Sequence, residues 1–419
     1  MVPKGWSSSQ LGEIMSFKNG LNFTKTDNGD SVKIVGVGDF KDLSELSSTE
    51  HLELISVAGR IRDEELLNNG DLLFVRSNGN KDLIGRCMFF PEVRERLSFS
   101  GFTIRGRVIN ELTFPAYMAI VARSSQFQTQ ISKASGGTNI SNLSQQILND
   151  INLLLPPLIE QKKIAKILST WDKAISVTEK FLANSRQQKK ALMQQLLTGK
   201  KRLLGENGVR FSKTWERYTL SKLFQRVTTK NNGKSANVVT ISGIHGLIKQ
   251  EDFFKKKVAS DTLDGYFLLK KGQFAYNKSY SNGYPMGAIK RLNRYPEGVV
   301  TTLYICFELS TPKESFGDFW EHYFESGLLN NSLSQIAHEG GRAHGLLNVK
   351  PSDFFSLKIP VPGFEEQQKI ATVLSVADAE ISTLEKKLAC LKDEKKALMQ
   401  QLLTGKRRVK VEAEEAVNA

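Results

Sequence analysis

Residues 189–200 read Lys-Lys-Ala-Leu-Met-Gln-Gln-Leu-Leu-Thr-Gly-Lys, and residues 395–406 repeat these twelve residues without a mismatch. The match continues upstream at the same offset, because the Pro-x-x-x-Glu-Gln pattern of 156–161 returns at 362–367. The repeated unit is about 45 residues long, and one copy closes each half of the chain. A long ungapped repeat indicates duplicated architecture. The sequence therefore predicts two similar halves.

A heptad pattern runs through both copies of the repeat. Apolar residues recur at alternating intervals of four and three, as in the seam of a coiled coil. The predicted seam residues are Ile164, Leu168, Trp171, Ile175, Leu182, Leu192 and Leu196 in the first copy, and Ile370, Leu374, Ala377, Ile381, Leu384, Leu388, Leu391, Leu398 and Leu402 in the second. Lysine interrupts the seam at the same position of both copies, Lys189 and Lys395. A Thr-Gly pair, typical of a helix end, follows the last seam leucine, so we predict helices over roughly 160–198 and 366–404, each about 55–60 Å long.

A helix with such a seam needs a second helix to cover it. The other copy is the partner that this chain supplies, because a period of 3.5 residues favours a coiled coil over the 3.6-residue period of a helix on a globular domain. The alternative is that each helix packs only on its own half of the chain.

The segments between the helices correspond more loosely. Residues 70–76 resemble 272–278, the surroundings of Trp6 resemble those of Trp215, and Gly136-Gly137 has a counterpart in Gly340-Gly341. Apolar runs at 32–37, 72–75, 238–241 and 303–307 predict strands, whereas 115–133 and 316–338 predict helices. We predict a mixed α/β (α+β) fold with a globular domain at 1–155, a central helical region at 156–200, a linker at 201–209, a second globular domain at 210–360, a distal helical region at 361–406 and a disordered tail at 407–419.

Composition indicates the partner class. The formal net charge of +14 favours a polyanionic partner such as nucleic acid or an anionic membrane surface. Three scattered cysteines suggest neither a disulfide framework nor a zinc site. The first ten residues lack an apolar signal region, and no stretch of 18 apolar residues occurs, so we expect a cytoplasmic protein without a membrane partner.

Motifs for catalysis are missing or incomplete. The segment Gly233-Lys234-Ser235 has Thr228 where a phosphate-binding loop needs glycine. The five histidines are dispersed, and His338 and His344 have neither a nearby cysteine nor helical spacing. We therefore predict no catalytic, cofactor-binding or metal-binding residues in this chain.

Polar and basic loops remain, and they recur at corresponding places in the two domains. Asn and Arg can pair with base edges, whereas Lys more often contacts phosphate. An ordinary solvated turn is the alternative for any single loop. The predicted DNA-binding residues are Lys18, Asn19, Arg76, Ser77, Asn78, Thr138 and Asn139 in the first domain, and Lys230, Asn231, Asn232, Lys278, Ser279, Tyr280, Arg342 and His344 in the second.

The chain resembles the specificity subunit of type I restriction-modification systems over nearly its whole length. The paired twelve-residue segments, the Pro-x-x-x-Glu-Gln openings and the segments 226–232 and 272–283 carry the resemblance. It implies two target recognition domains and two helices paired antiparallel, with pseudo-two-fold symmetry. Each domain would then read one half of a bipartite, asymmetric site on double-stranded DNA, and the helices would set the spacer.

The resemblance also implies the partners. Two methyltransferase subunits would dock on the helical region, and restriction/translocase subunits would complete the system. The chain would be non-catalytic, so S-adenosylmethionine, ATP and Mg would be bound only by partner subunits. A non-enzymatic coiled-coil scaffold without sequence-specific DNA binding is the main alternative, and an enzyme with an unrecognised nuclease or methyltransferase site is another.

Overall fold

The chain divides into two compact units in a computed structural model that describes residues 2–22, 25–40, 44–46, 48–134, 142–254, 262–339 and 347–411. Unit 1 combines Met1–Glu179 with Lys387–Ala419, and unit 2 is Lys180–Lys386. The boundaries fall within the two long helices, so each unit holds one globular domain and a part of each helix.

The domain of unit 1 is built on a four-stranded antiparallel sheet, in the order β2-β8-β5-β6. A three-stranded sheet β4-β3-β7 and the pair β1-β9 accompany it. The elements are β1 Ser7–Gln10, α1 Leu11–Ile14, β2 Met15–Asn19, β3 Lys25–Val35, β4 Leu54–Val57, β5 Asp71–Val75, β6 Cys87–Phe90, β7 Leu97–Phe99, β8 Thr103–Val108, α2 Pro115–Ala122, α3 Ser125–Ala134, α4 Gln145–Asn149, β9 Asn152–Leu155 and the long helix α5 Leu158–Leu196.

The domain of unit 2 repeats the four-stranded sheet and the terminal strand pair, whereas its other described strands form the pairs β12-β13, β14-β17 and β19-β20. Its four-stranded antiparallel sheet has the order β11-β18-β15-β16, and the pair β10-β21 corresponds to β1-β9. The elements are β10 Glu216–Thr219, α6 Leu220–Leu223, β11 Phe224–Arg226, β12 Val239–Ser242, β13 Gly246–Lys249, α7 Gln250–Phe254, β14 Phe267–Lys270, β15 Phe274–Asn277, β16 Ala288–Arg291, β17 Glu297–Val300, β18 Ile305–Leu309, α8 Gly317–Glu325, α9 Asn330–Ile336, β19 His338–Glu339, β20 Leu347–Asn348, α10 Pro351–Ser356, β21 Lys358–Val361 and α11 Phe364–Leu402. The predicted mixed α/β fold with two similar domains is confirmed.

Each twelve-residue repeat packs against the domain that it does not follow in the chain. Leu196 and Leu197 at the end of α5 are fully buried in the aromatic core of unit 2. Leu402 and Leu403, at the end of α11, are buried in the core of unit 1 beside the apolar residues of α2. Burial of these leucine pairs is worth several kcal/mol at about 25 cal/mol per Å² of apolar surface. The repeat is therefore both a helix and a docking segment.

The two helices run antiparallel within each unit. In unit 1, Lys395 forms an ion pair with Asp172, and the Nζ atom of Lys392 lies 2.7 Å from Oε1 of Glu179. In unit 2, Lys189 pairs with Asp378 in the equivalent arrangement. The seam residues predicted from the sequence are all buried or half-buried. Each seam lysine thus has an aspartate partner on the opposite helix, which accounts for the polar interruption.

Both long helices end three residues before the predicted glycine. Gly199 and Gly405 have φ of +71° and +67°, a region that L side chains rarely adopt. Beyond each glycine the chain folds back, because the amide of Lys201 donates to the carbonyl of Gln195 at 3.0 Å and that of Arg407 to Gln401 at 3.1 Å. Each helix starts and ends about two residues before its predicted bounds.

Three predictions about local structure need correction. The single helices predicted at 115–133 and 316–338 are each two shorter helices. The segment 201–209 is more than a linker, since Arg202 forms an ion pair with the buried Glu366. Within the predicted tail, Arg408 forms an ion pair with Glu160, so the segment up to residue 411 belongs to unit 1, while 412–419 lie outside the described residues. Across the described part of the chain, none of the helices has the length and apolar character needed to cross a membrane.

Candidate nucleic-acid interface

Two of the predicted loops of the first domain meet at one edge of its central sheet. Strand β2 ends at Asn19, β5 ends just before Arg76, and β8 starts between them, with Asn19 paired to Ile104 and Val75 paired to Thr103. Because neighbouring strands are about 4.8 Å apart, the chain at Lys18 and Asn19 and the segment 76–78 lie at the same end of the sheet. The topology therefore joins side chains that are almost sixty residues apart in sequence.

Main-chain contacts hold this edge in place. The amide of Arg76 donates to the carbonyl of Phe102 at 2.8 Å, and the amide of Gly20 donates to Thr103 at 3.0 Å. A β-carbon on Gly20 would lie 2.0 Å from the carbonyl oxygen of Ser100, so glycine is required for this close approach. The amide of Leu143 donates to the carbonyl of Arg76 at 2.8 Å. The described chain next to the Gly136-Gly137 loop thus returns to the same edge.

Charge at this edge is only partly neutralised. Nζ of Lys18 lies 2.9 Å from Oε1 of Glu64, and hydrogen bonding to Lys18 and the charge of Arg62 lower the pKa of Glu64. Arg76 instead donates from Nη1 to the carbonyl of Gly101 at 3.4 Å, and no carboxylate among the described residues pairs with it. Ser77 and Asn78 are half-exposed beside it. Thr138 and Asn139 lie outside the described residues.

The second domain forms the equivalent edge. Strand β11 ends at Arg226, β15 ends at Asn277 and β18 starts between them, with Arg226 paired to Phe307 and Tyr276 paired to Ile305. The amide of Leu347 donates to the carbonyl of Lys278 at 2.9 Å, matching the contact between Leu143 and Arg76. The loose sequence match between 70–76 and 272–278 therefore reflects the same position in both sheets.

A pair of cations marks the edge in unit 2. Burial lowers the pKa of Lys278, and the nearby positive charge of Arg226 lowers it further. Within the described residues, neither side chain forms an ion pair with a carboxylate. Two neighbouring cations without an acidic partner favour a bound anion, because an anion would relieve their repulsion. Arg226 was not among the predicted residues, although it directly precedes the polar segment 227–232.

The remaining predicted residues of the second domain behave differently. Asn231 is wrong as a DNA contact: it is 1% exposed, and its side-chain amide binds both the carbonyl and the amide of Ser235 at 2.9 Å. Lys230 donates to the carbonyl of Gly265 at 2.7 Å and lies 4.6 Å from the ring centre of Phe267. Asn232 is exposed with φ of 46°.

Ser279 and Tyr280 follow Lys278 at the edge. Ser279 is half-exposed, and its amide donates to Oδ1 of Asn277 at 3.2 Å. Tyr280 is exposed. Arg342 and His344 lie outside the described residues. The second domain therefore retains Lys278, Ser279 and Tyr280 together at the edge, with Arg226 added.

An anchor cluster that the sequence analysis missed occurs once in each unit. In unit 1 the buried Glu160 accepts hydrogen bonds from Nε1 of Trp6 at 3.3 Å and from Nε of Arg408 at 3.0 Å. In unit 2, Glu366 accepts from Nε1 of Trp215 at 3.0 Å and from Nε of Arg202 at 2.6 Å. The sequence does contain a signal for this cluster, because Arg202 and Arg408 are separated by the same 206 residues as the two copies of the repeat.

The glutamines that follow these glutamates close the adjoining loops. Oε1 of Gln161 accepts from the amide of Phe114 at 2.8 Å, and Oε1 of Gln367 accepts from the amide of Phe316 at 2.9 Å. Both side-chain amides also donate to the carbonyl of the proline five residues earlier. The Pro-x-x-x-Glu-Gln motif therefore fastens the start of each long helix to its domain. In the described part of the chain, no group of three or more His, Cys, Asp or Glu is placed to hold a metal ion.

The chain thus has two related α/β domains, each with a basic sheet edge and each joined to a long helix. This is the architecture of a protein with two related modules in one chain. The family model of the type I restriction modification DNA specificity domain matches residues 3–184 and again 213–392. The chain belongs to this family and carries two target recognition domains in tandem, the organisation of a specificity subunit.

Named relatives extend over almost the whole chain. The chain is 26% identical to the putative type I restriction enzyme MjaX specificity subunit of Methanocaldococcus jannaschii, covering 98% of this chain and 95% of that protein. It is 22% identical to the EcoKI specificity subunit of Escherichia coli K12, over 92% and 85% of the two chains. The crystal structure of the S subunit of a type I restriction-modification system from M. genitalium has a similar fold, with a TM-score of 0.55 at 14% identity and coverage of 95% and 96%.

Proposed function

We propose that each target recognition domain reads one half of a bipartite, asymmetric site on double-stranded DNA. The recurrent sheet edge carries this proposal: Arg76 and Lys278 occupy the same position of the two sheets, and neither is neutralised by a described carboxylate. Cations placed this way suit phosphate or guanine, whereas the flanking Ser, Asn and Tyr side chains can contact base edges. Because the residues around the two edges differ, the two half-sites should differ in sequence.

We further propose that the chain itself is non-catalytic. Two methyltransferase subunits would dock on the helical region, and restriction/translocase subunits would complete the complex. S-adenosylmethionine, ATP and Mg would then be bound by those partners. The missing catalytic motifs in the sequence support this division, and methylation of DNA by the purified chain alone with added S-adenosylmethionine would contradict it.

Methylation mapping gives the direct test of DNA recognition. The chain is expressed with its methyltransferase subunit in cells that lack other adenine and cytosine methylation, and the modified positions are sequenced. We expect one asymmetric motif made of two short half-sites with an unread gap. A duplex carrying that motif should compete at least tenfold better than a scrambled duplex, a ratio well below the specificity typical of DNA-binding proteins. A scaffold without sequence-specific binding would show equal competition by both duplexes.

The helices give a second test, because the proposed function assigns the length of the gap to them. Each long helix has 39 residues and is about 58 Å long. Inserting one heptad after Glu179 and one after Lys386 keeps both the seam period and the Lys-Asp ion pairs. Seven residues add about 10 Å, so the gap should lengthen by about three base pairs while both half-sites stay unchanged. Altered half-sites with an unchanged gap would contradict the role of the helices as a spacer.

A further inference from the structure

Each target recognition domain exposes one large apolar side chain at the tip of the turn that leads into the central strand. In the first domain this is Phe102, which is 60% exposed just before β8, and in the second it is Leu303, which is 58% exposed just before β18. Single exposed apolar residues are common on protein surfaces. Here, however, the exposure recurs at one position of a duplicated sheet.

Each of these side chains lies at the same end of the sheet as the recurrent cation, and in the first domain the strand register places the two opposite one another. Val75 pairs with Thr103, so the next residues along the two chains are Arg76 and Phe102. In the second domain the pairing ends at Tyr276 and Ile305, and Lys278 and Leu303 each lie two residues beyond this last pair. The amide of Arg76 donates directly to the carbonyl of Phe102. The first edge therefore presents a cation and an apolar group side by side, and the second edge has the same two groups just beyond the paired ends of the corresponding strands.

The turn that carries Phe102 is firmly held. The amide of Gly101 donates to the carbonyl of Leu21 at 2.8 Å, and the amide of Thr103 donates to Ser100 at 2.9 Å. In the second domain, the amide of Tyr304 donates to the carbonyl of Thr301 at 3.2 Å, and the Tyr304 side chain is buried beside Thr240. Rigid backbone positions an exposed side chain at low entropic cost for binding.

We propose that Phe102 and Leu303 are specificity-determining residues that make apolar contacts with bases, one in each half-site. This inference rests on the proposed reading of DNA and assigns the contact to particular residues. Double-stranded DNA is the occupant that the charges favour, because Arg76 in the first domain, and Lys278 with Arg226 in the second, would bind phosphates at the same sheet edge as the apolar tip. Apolar side chains in a groove discriminate bases through the thymine methyl group or by wedging into a base step.

The test uses the complete complex with methyltransferase subunits and the duplex identified by methylation mapping. Phe102→Ala and Leu303→Ala are compared with Leu54→Ala and Ile244→Ala, which shorten exposed apolar residues elsewhere on the same domains. Each test variant should bind the cognate duplex roughly tenfold more weakly. The base preference should relax in one half-site only, and a different half-site for each variant. Phe102→Leu should retain part of the preference.

Several outcomes overturn the assignment. If both test variants bind and methylate like the control variants, Phe102 and Leu303 do not read bases. If they lose assembly with the methyltransferase, as judged by gel filtration, the apolar tips belong to a protein interface. These results leave DNA recognition itself standing, provided that the wild-type complex prefers the cognate duplex. If the wild-type complex shows no preference, the proposed function fails, and this inference fails with it.

Discussion

Reversing the charge of Asp172 should destabilise unit 1, and a second reversal should restore it. Asp172 forms an ion pair with Lys395, the lysine that interrupts the apolar seam of the antiparallel helix. The variant Asp172→Lys places two ammonium groups at this point. The double variant with Lys395→Asp recreates the pair with its polarity exchanged.

The size of the effect follows from the exposure of the pair. Two unit charges 4 Å apart interact by about 4 kcal/mol at the effective dielectric constant of a protein surface. The Lys395 side chain is 19% exposed and that of Asp172 is 37% exposed, so solvent screens much of this energy, and the native pair is worth about 1 kcal/mol. Replacing attraction by repulsion should therefore lower the free energy of unfolding by about 2–3 kcal/mol.

Urea unfolding of the full chain measures the loss, and hydrogen exchange of peptides from 160–179 and 387–402 locates it. The double variant should recover to within about 1 kcal/mol of the wild type. Recovery should be poorer for the equivalent swap of Asp378 and Lys189, because Oδ2 of Asp378 also lies 3.7 Å from Nδ1 of His322. If Asp172→Lys is neutral, or if the second reversal adds to the damage, the ion pair does not fix the register of the helices.

Three further predictions test other parts of the molecule. Glu160→Gln should lower the free energy of unfolding by about 2 kcal/mol in urea, because it weakens charge-assisted hydrogen bonds to a buried carboxylate, and an unchanged midpoint would contradict the anchoring role. Arg76→Ala and Lys278→Ala should each weaken binding of the complex to cognate DNA about tenfold and reduce the slope of log K against log salt by about one, whereas the exposed Arg94→Ala should change neither. Burial, reinforced by the charge of Lys189, lowers the pKa of His322 below 6.5. The unfolded chain therefore binds this proton more readily than the folded chain, and stability should fall as the pH drops below about 6.5. His322→Gln should make the urea midpoint less dependent on pH between about 8 and 5.5, and an identical pH profile would contradict this.

The repeat predicted the helices closely because their signals are local. Seam leucines at heptad spacing and glycines at Gly199 and Gly405 lie within one segment, so no long-range contact is needed to interpret them. The sheet edge was found only in part. Arg76 and Lys278 follow recognisable strands, but their equivalent positions in the two sheets depend on strand pairing, which sequence spacing does not specify.

The mistaken and missed residues have a similar physical cause, because their hydrogen-bond partners are set by the folded chain. Asn231 has the composition of an exposed turn, yet an asparagine in a turn can bind its own backbone and become buried. Arg202 and Arg408 follow helix-ending glycines, where charged residues usually face solvent. Their buried partners, Glu366 and Glu160, lie more than 150 residues away in sequence, so only the fold brings these charges together.

The docking of each repeat on the domain that it does not follow affects the order of folding during synthesis. Unit 2 is continuous from Lys180 to Lys386, so the ribosome can release all of its core in one stretch. Unit 1 lacks Leu402 and Leu403 until the segment after unit 2 emerges, because these leucines belong to the core that also contains the apolar residues of α2. A nascent first domain therefore exposes an unfilled apolar site throughout the synthesis of the second. Domains generally fold as units in the order in which they emerge, but here we expect the domain that is made first to be completed last.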